Sequence, residues 1–205
     1  MQQWNYAPPT PSALGDHDVP IDGDELSGCR IALMVSGSIA AFTTPYLARA
    51  LRRRGASVQA FCSGEALRYV SSETLEWATT NPVVTRLGAD AEHLSDSSPF
   101  DVYLVAPASY NTIGKMAHGI ADTVLCATLA SALGRMERGE ASVLVAPAMH
   151  GTMHTSMLVA NCRTLSASGV RIIPPRDDYG KHNLPREADL VAEVVSAVSS
   201  RPPKR

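Results

Sequence analysis

Apolar residues are gathered into short runs at 31–35 (IALMV), 58–62 (VQAFC), 102–106 (VYLVA), 142–146 (SVLVA) and 170–173 (VRII). Runs of this length rich in Val, Ile and Leu suit strands buried on both faces. Between them lie longer stretches whose apolar positions recur at helical spacing: 39–54, 64–70, 109–118, 122–135, 151–168 and 187–199. Gly55 and Gly169 stand where a left-handed residue closes a helix. Segment 75–78 reads as helical and 82–86 as a short edge strand. Strands alternating with helices predict right-handed crossovers and an α/β fold with a mostly parallel sheet. Ligands of such sheets bind outside the carboxyl ends of the strands. Site residues are therefore expected just after Val35, Cys62, Ala106 and Ala146.

Residues 1–27 are rich in Pro, Gly and Asp and show no apolar period, which predicts a mobile arm. A single domain then spans 28–199, and 200–205 form a tail.

The strand-end loops hold the unusual residues. Ser36-Gly37-Ser38-Ile39 offers a glycine and two hydroxyls ahead of a helix. That suits an anion, and equally a tight turn with a serine N-cap. It is neither G-x-G-x-x-G nor a P-loop. Ser63 is an N-cap or a second phosphate donor. Pro107-Ala108-Ser109-Tyr110-Asn111-Thr112 puts small and hydroxyl residues at a helix start, where a phosphate or a planar ring with carbonyl edges could sit. Asn111 could present its amide to such an edge or to a carboxylate. In Ala148-Met149-His150-Gly151-Thr152-Met153-His154, methionines can pack on a flat ring. The two histidines lack the Glu of H-E-x-x-H, so no metal is expected. His93 stands in a polar stretch.

Composition narrows the partners. A chain of 205 residues with 45% apolar and 19% charged residues is an ordinary globular protein. With a net charge of -2 and no polybasic run, neither nucleic acid nor membrane is expected as a partner. Cys29, Cys62, Cys126 and Cys162 are widely spaced, in neither a disulfide nor a zinc pattern, and a cytoplasmic location is expected.

These residues together resemble the flavin-containing cysteine decarboxylases. That family includes phosphopantothenoylcysteine decarboxylases and the peptidyl-cysteine decarboxylases of lantibiotic- and linaridin-type peptide biosynthesis. Gly37-Ser38-Ile39 resembles its first phosphate loop. The stretch from Pro107 through Asn111, Thr112, Ala121 and Asp122 follows its long FMN segment. Pro147-Ala148-Met149-His150-Gly151-Thr152-Met153-His154 resembles P-x-M-N-x-x-M-W, and His93 stands where the family keeps its active-site histidine. The resemblance implies a Rossmann-like three-layer α/β/α sandwich of flavodoxin-like type, with FMN as cofactor. It implies FMN contacts at Gly37, Ser38, Ile39, Ser63, Pro107, Ala108, Ser109, Asn111, Thr112, Ala121, Asp122 and Met149. The implied catalytic residues are His93, Asn111 and His150, and the substrate contacts Asn111, His150, Met153 and Tyr179.

Two departures shape the expected activity. The motif Asn is His150 here and its Trp is His154. The pantothenate-pathway enzymes carry an Ala-Cys-Gly element whose thiol helps return hydride to the product. The matching stretch reads Asp177-Asp178-Tyr179-Gly180-Lys181-His182-Asn183, with no cysteine. The resemblance then implies oxidative decarboxylation of a C-terminal cysteine on a precursor peptide to an aminoenethiol. Decarboxylation of phosphopantothenoylcysteine, a flavin prenyltransferase-like activity and a non-catalytic flavin-binding subunit are the alternatives. It also implies a homotrimer, with further assembly to a dodecamer.

Overall fold

The computed structural model describes residues 4–88 and 98–201. Its frame is a five-stranded sheet of β1 (Arg30–Val35), β2 (Ser57–Cys62), β3 (Val102–Ala108), β4 (Ser142–Pro147) and β6 (Arg171–Ile172). The strand order is β2-β1-β3-β4-β6 and every pairing is parallel. Alternate residues of each strand feed opposite faces. Ile31, Leu33 and Val35 enter one core and Ala32 and Met34 the other; Val102 and Leu104 oppose Tyr103 and Val105 in the same way. This is why the runs read as continuously apolar: each face of the sheet is covered. Helices α1 (Thr44–Arg53), α2 (Ser72–Thr79) and α6 (Glu187–Ser199) lie on the side of the first core. α3 (Tyr110–Ala117), α4 (Val124–Glu137) and α5 (Ser156–Ala167) lie on the other. The result is the expected three-layer α/β/α sandwich.

Several element bounds differ from expectation. The stretch 39–54 opens as a 3-10 turn over Ile39–Thr43, and the α-helix begins only at Thr44. Pro45 sets that start, because its missing N–H is harmless in the first turn and disruptive further in. The expected helix at 64–70 is one 3-10 turn, Ala66–Arg68; α2 starts afresh at Ser72, capped by Ser71, whose Oγ accepts from the Thr74 N–H at 3.1 Å. The expected edge strand at 82–86 reduces to one parallel bridge between Phe61 and Val84. The helix expected over 151–168 is a 3-10 turn, Gly151–Met153, then a break, then α5 capped by Thr155.

Residues 17–27, expected to belong to a mobile arm, lie against the end of α1. The Asp22 N–H donates to Arg53 O at 2.8 Å, and the Leu26 N–H to Arg54 O at 2.9 Å. Leu26 is fully buried in the first core, one apolar anchor that composition did not reveal.

A second, antiparallel sheet was not expected. β5 (Met149–His150) pairs with β8 (Lys181–Asn183), which pairs with β7 (Arg176–Asp178). The β7–β8 hairpin turns through Tyr179 and Gly180, both at positive φ (52° and 66°), the backbone of a two-residue I′ turn. Its strands are polar and very short, so they carry no period for a sequence reading to find.

Cys62, at the end of β2, is buried, and desolvation pushes its thiol up to about 12. A folded value raised above the unfolded one means the neutral thiol stabilises the fold fully below the ordinary thiol range. That contribution is lost as pH climbs from there toward 12. Urea unfolding between neutral pH and about pH 11 should therefore show a steeper alkaline loss of stability than in Cys62→Ala. Equal slopes would exclude the effect.

Candidate active site

The loops after β1, β3 and β4 are bound to one another by hydroxyls. Ser36, 1% exposed, donates from Oγ to Pro107 O at 2.7 Å and accepts from the Ser109 N–H at 2.8 Å. Ser38 caps the first 3-10 turn and donates to Ala148 O at 3.2 Å. The Ala148 N–H donates to Ala108 O at 3.1 Å, and the Ser63 N–H draws the β2 loop to Val35 O at 3.0 Å. Ser36→Ala leaves the Ser109 N–H without its acceptor in a half-buried place. We expect a loss of about 1–3 kcal/mol in stability, read by denaturant titration, and loosening of the loops. An unchanged midpoint would show that Ser36 does not hold them.

The cleft above these strand ends has a volume of about 370 Å³, within the usual range for small-molecule sites. Gly37, Ser38, Ile39, Ser109, Met149, His150 and Met153 line it. Pro107 and Ala108 are buried residues at the end of β3, and the Ala106–Pro107 peptide bond before them is cis. Ser63 caps the neighbouring turn, its Oγ accepting from the Ala66 N–H at 3.1 Å. Thr112 is buried, and its N–H donates to Ser109 Oγ at 3.3 Å. Among the described residues no Asp or Glu lines the cleft, while His150, Lys181 and His182 do.

Other expected residues stand elsewhere. Asn111, Ala121 and Asp122 are exposed and do not line the cleft. Asp122 pairs with Lys115 Nζ at 2.7 Å, which holds its carboxyl below the usual range and raises the lysine. Tyr179 is 87% exposed at the hairpin tip, outside the cleft. His93 lies outside the described residues. Tyr69, Tyr110, Asn183 and Leu184 also line the cleft. Sequence reasoning missed them, since an isolated tyrosine or a polar hairpin gives no motif.

A flavin fits this arrangement. Gly37 lies so close to the β2 loop that a Cβ there would stand 2.6 Å from Glu65 Cβ. Among the described residues the Gly37 and Gly64 N–H groups have no protein acceptor. Both follow strand ends, and backbone N–H groups left free there suit an anion such as a phosphate. Met149 and Met153 offer soft surface for a ring.

The Flavoprotein family profile matches residues 21–199. The chain belongs to the Flavoprotein family. The coenzyme A biosynthesis bifunctional protein CoaBC of Thermococcus kodakarensis is 36% identical to this flavoprotein over 176 residues, 83% of the present chain and 42% of that protein. The chain thus spans about two fifths of the length of the bifunctional relatives it matches. A probable phosphopantothenoylcysteine decarboxylase of Streptococcus mutans serotype c is 31% identical over 153 residues, 72% of this chain and 83% of that one. Among solved structures, the FMN-dependent cysteine decarboxylase SpaF superposes with a TM-score of 0.73 at 25% identity, covering 85% of this chain and 99% of its own. No helix among the described residues is long and apolar enough to cross a membrane.

Proposed function

We propose that this flavoprotein binds FMN and oxidatively decarboxylates a cysteine at the C-terminus of a peptide. The decarboxylase chemistry and the cofactor are supported by the family and by relatives that carry them in their names. The peptide is favoured by one observation. The hairpin that walls the cleft, Lys181-His182-Asn183, has no thiol, and none of Cys29, Cys62, Cys126 and Cys162 lines the cleft. A route in which a thiol assists the return of hydride to the product has no such thiol there, so the reaction ends at the oxidised aminoenethiol.

FMN, when bound, supplies the two-electron oxidation that makes loss of CO₂ easy. The chain's own residues orient the partners. The Gly37 and Gly64 N–H groups and the Ser63 hydroxyl would hold the phosphate, with the Ser38 hydroxyl turning from Ala148 O to join them. Met149 and the Ala108–Ser109 backbone would bear the ring. The Nδ1 of His150 accepts from the Thr152 N–H at 3.2 Å, which leaves Nε2 carrying the proton of the neutral ring. That N–H is the group offered to a substrate carboxylate. His93, by its resemblance, takes the thiol proton.

Asn111, Ala121 and Asp122 are placed by the resemblance at FMN yet lie outside the cleft of one chain. A homotrimer, in which a neighbouring subunit presents them, reconciles the two, and a dodecamer is its further assembly. The relatives support a second substrate, phosphopantothenoylcysteine.

Incubating the yellow protein with a short cysteine-ended peptide should remove ~46 Da, the sum of CO₂ and two hydrogens. Loss of CO₂ alone from phosphopantothenoylcysteine, with the peptide untouched, would select the second substrate. A protein that takes up no FMN would overturn both.

A further inference from the structure

Beside the cleft, three side chains of the second sheet form a hydrogen-bonded chain. His182 Nδ1 lies 2.6 Å from Asp177 Oδ1, and His182 Nε2 lies 2.7 Å from His154 Nδ1. The two rings are tilted by 50° with centroids 5.0 Å apart. Asp177 and His182 belong to the hairpin, on β7 and β8, whereas His154 follows the 3-10 turn after β5. The chain therefore ties the hairpin to the body of the domain, across a cavity of about 510 Å³ that shares Lys181 and His182 with the cleft. Among the described residues no group of three or more His, Cys, Asp or Glu side chains is placed to hold a metal ion.

The hydrogens can be counted. Asp177 as carboxylate accepts from His182 Nδ1–H. One hydrogen must lie between the facing ring nitrogens. With both rings neutral, His154 Nδ1–H donates to His182 Nε2. With one added proton, taken up at His154 Nε2, the bridging hydrogen passes to His182, which becomes an imidazolium donating to Asp177 and to His154 Nδ1. Both states close the chain. A second added proton puts N–H against N–H at 2.7 Å, and the bond becomes a repulsion between like charges.

We propose that Asp177, His182 and His154 form a latch on the cleft-walling hairpin that stays shut with no or one added proton and opens with the second. Its surroundings do not replace the lost bond. Arg176 is paired to Asp178 at 3.1 Å, Lys181 stands opposite His150 in the β5–β8 register, and Met149 stands opposite His182. Nearby Tyr179 and Gly180 form the turn. What remains holding the hairpin is the short backbone ladder and the Gly151 N–H donating to Gly180 O at 3.0 Å. Opening moves Lys181, His182 and Asn183 away and exposes the cleft. The latch involves no cofactor, so it stands or falls apart from the proposed reaction.

Amide hydrogen exchange on chelator-treated protein tests it, with rates corrected for the intrinsic effect of pH. Protection of residues 176–183 should drop about tenfold on acidification, while β3 amides stay protected and report an intact domain. His154→Gln keeps an uncharged donor and acceptor and should hold the hairpin shut throughout. His154→Phe should leave it loose at every pH. A flat wild-type profile with β3 protected, or the same acid step in His154→Gln, would overturn the latch.

Discussion

Replacing Gly37 by valine should give a folded protein that no longer turns yellow. At this position a Cβ would stand 2.6 Å from Glu65 Cβ, 3.5 Å from the Glu65 carbonyl carbon and 3.6 Å from its Cα. None of these is the far end of a flexible side chain, so the β1 and β2 loops must move apart. The cost to stability is modest, about 1–3 kcal/mol, since the loops lie at the rim of the sheet. Binding suffers more. Under the proposed phosphate site, the Gly37 and Gly64 N–H groups grip one phosphate only if the two loops stay close, and a displacement near 1 Å can cost about 100-fold. Titrating FMN into apoprotein, with a thermal melt alongside, measures both. A yellow Gly37→Val protein with unchanged affinity would remove this loop from the phosphate site.

His93→Asn should keep its colour and lose turnover. Under the proposed reaction His93 takes the thiol proton, and loss of a positioned base lowers rates by about 100- to 10,000-fold. Asparagine has no comparable basicity near neutral pH, whereas none of the cleft-lining groups that would hold the cofactor is altered. Single-turnover bleaching of the bound flavin with a cysteine-ended peptide reads the chemical step apart from reoxidation. Full activity would take His93 out of the mechanism. Loss of colour would assign it to flavin binding instead.

The two variants probe different sources of knowledge. Gly37 was visible in the sequence only as one residue of a weak motif, compatible with a plain turn. Its constraint comes from Glu65, which approaches from the next loop. His93 rests wholly on resemblance, since a lone histidine in a polar stretch carries no local signature.

The alternation of apolar runs with helical stretches was enough to set the parallel α/β sheet and the end of it at which ligands of such sheets bind. Strands buried on both faces must be apolar throughout, and a parallel pair needs a crossover long enough for a helix. The strand-end loops could therefore be located from the sequence alone. What joined them could not be read there. Ser36 reaching Pro107 O and Ser109 N is a contact across 71 and 73 positions, made by a residue type that caps turns just as well. Leu26 is an apolar anchor inside a stretch of polar composition. The β7–β8 hairpin is too short and polar to show a period, yet it walls the cleft and brings His182 to His154 across 28 positions. Local periodicity records which face of an element is buried; only the folded chain decides which distant polar groups meet, because a hydrogen bond between loops leaves no repeat in the residues that make it.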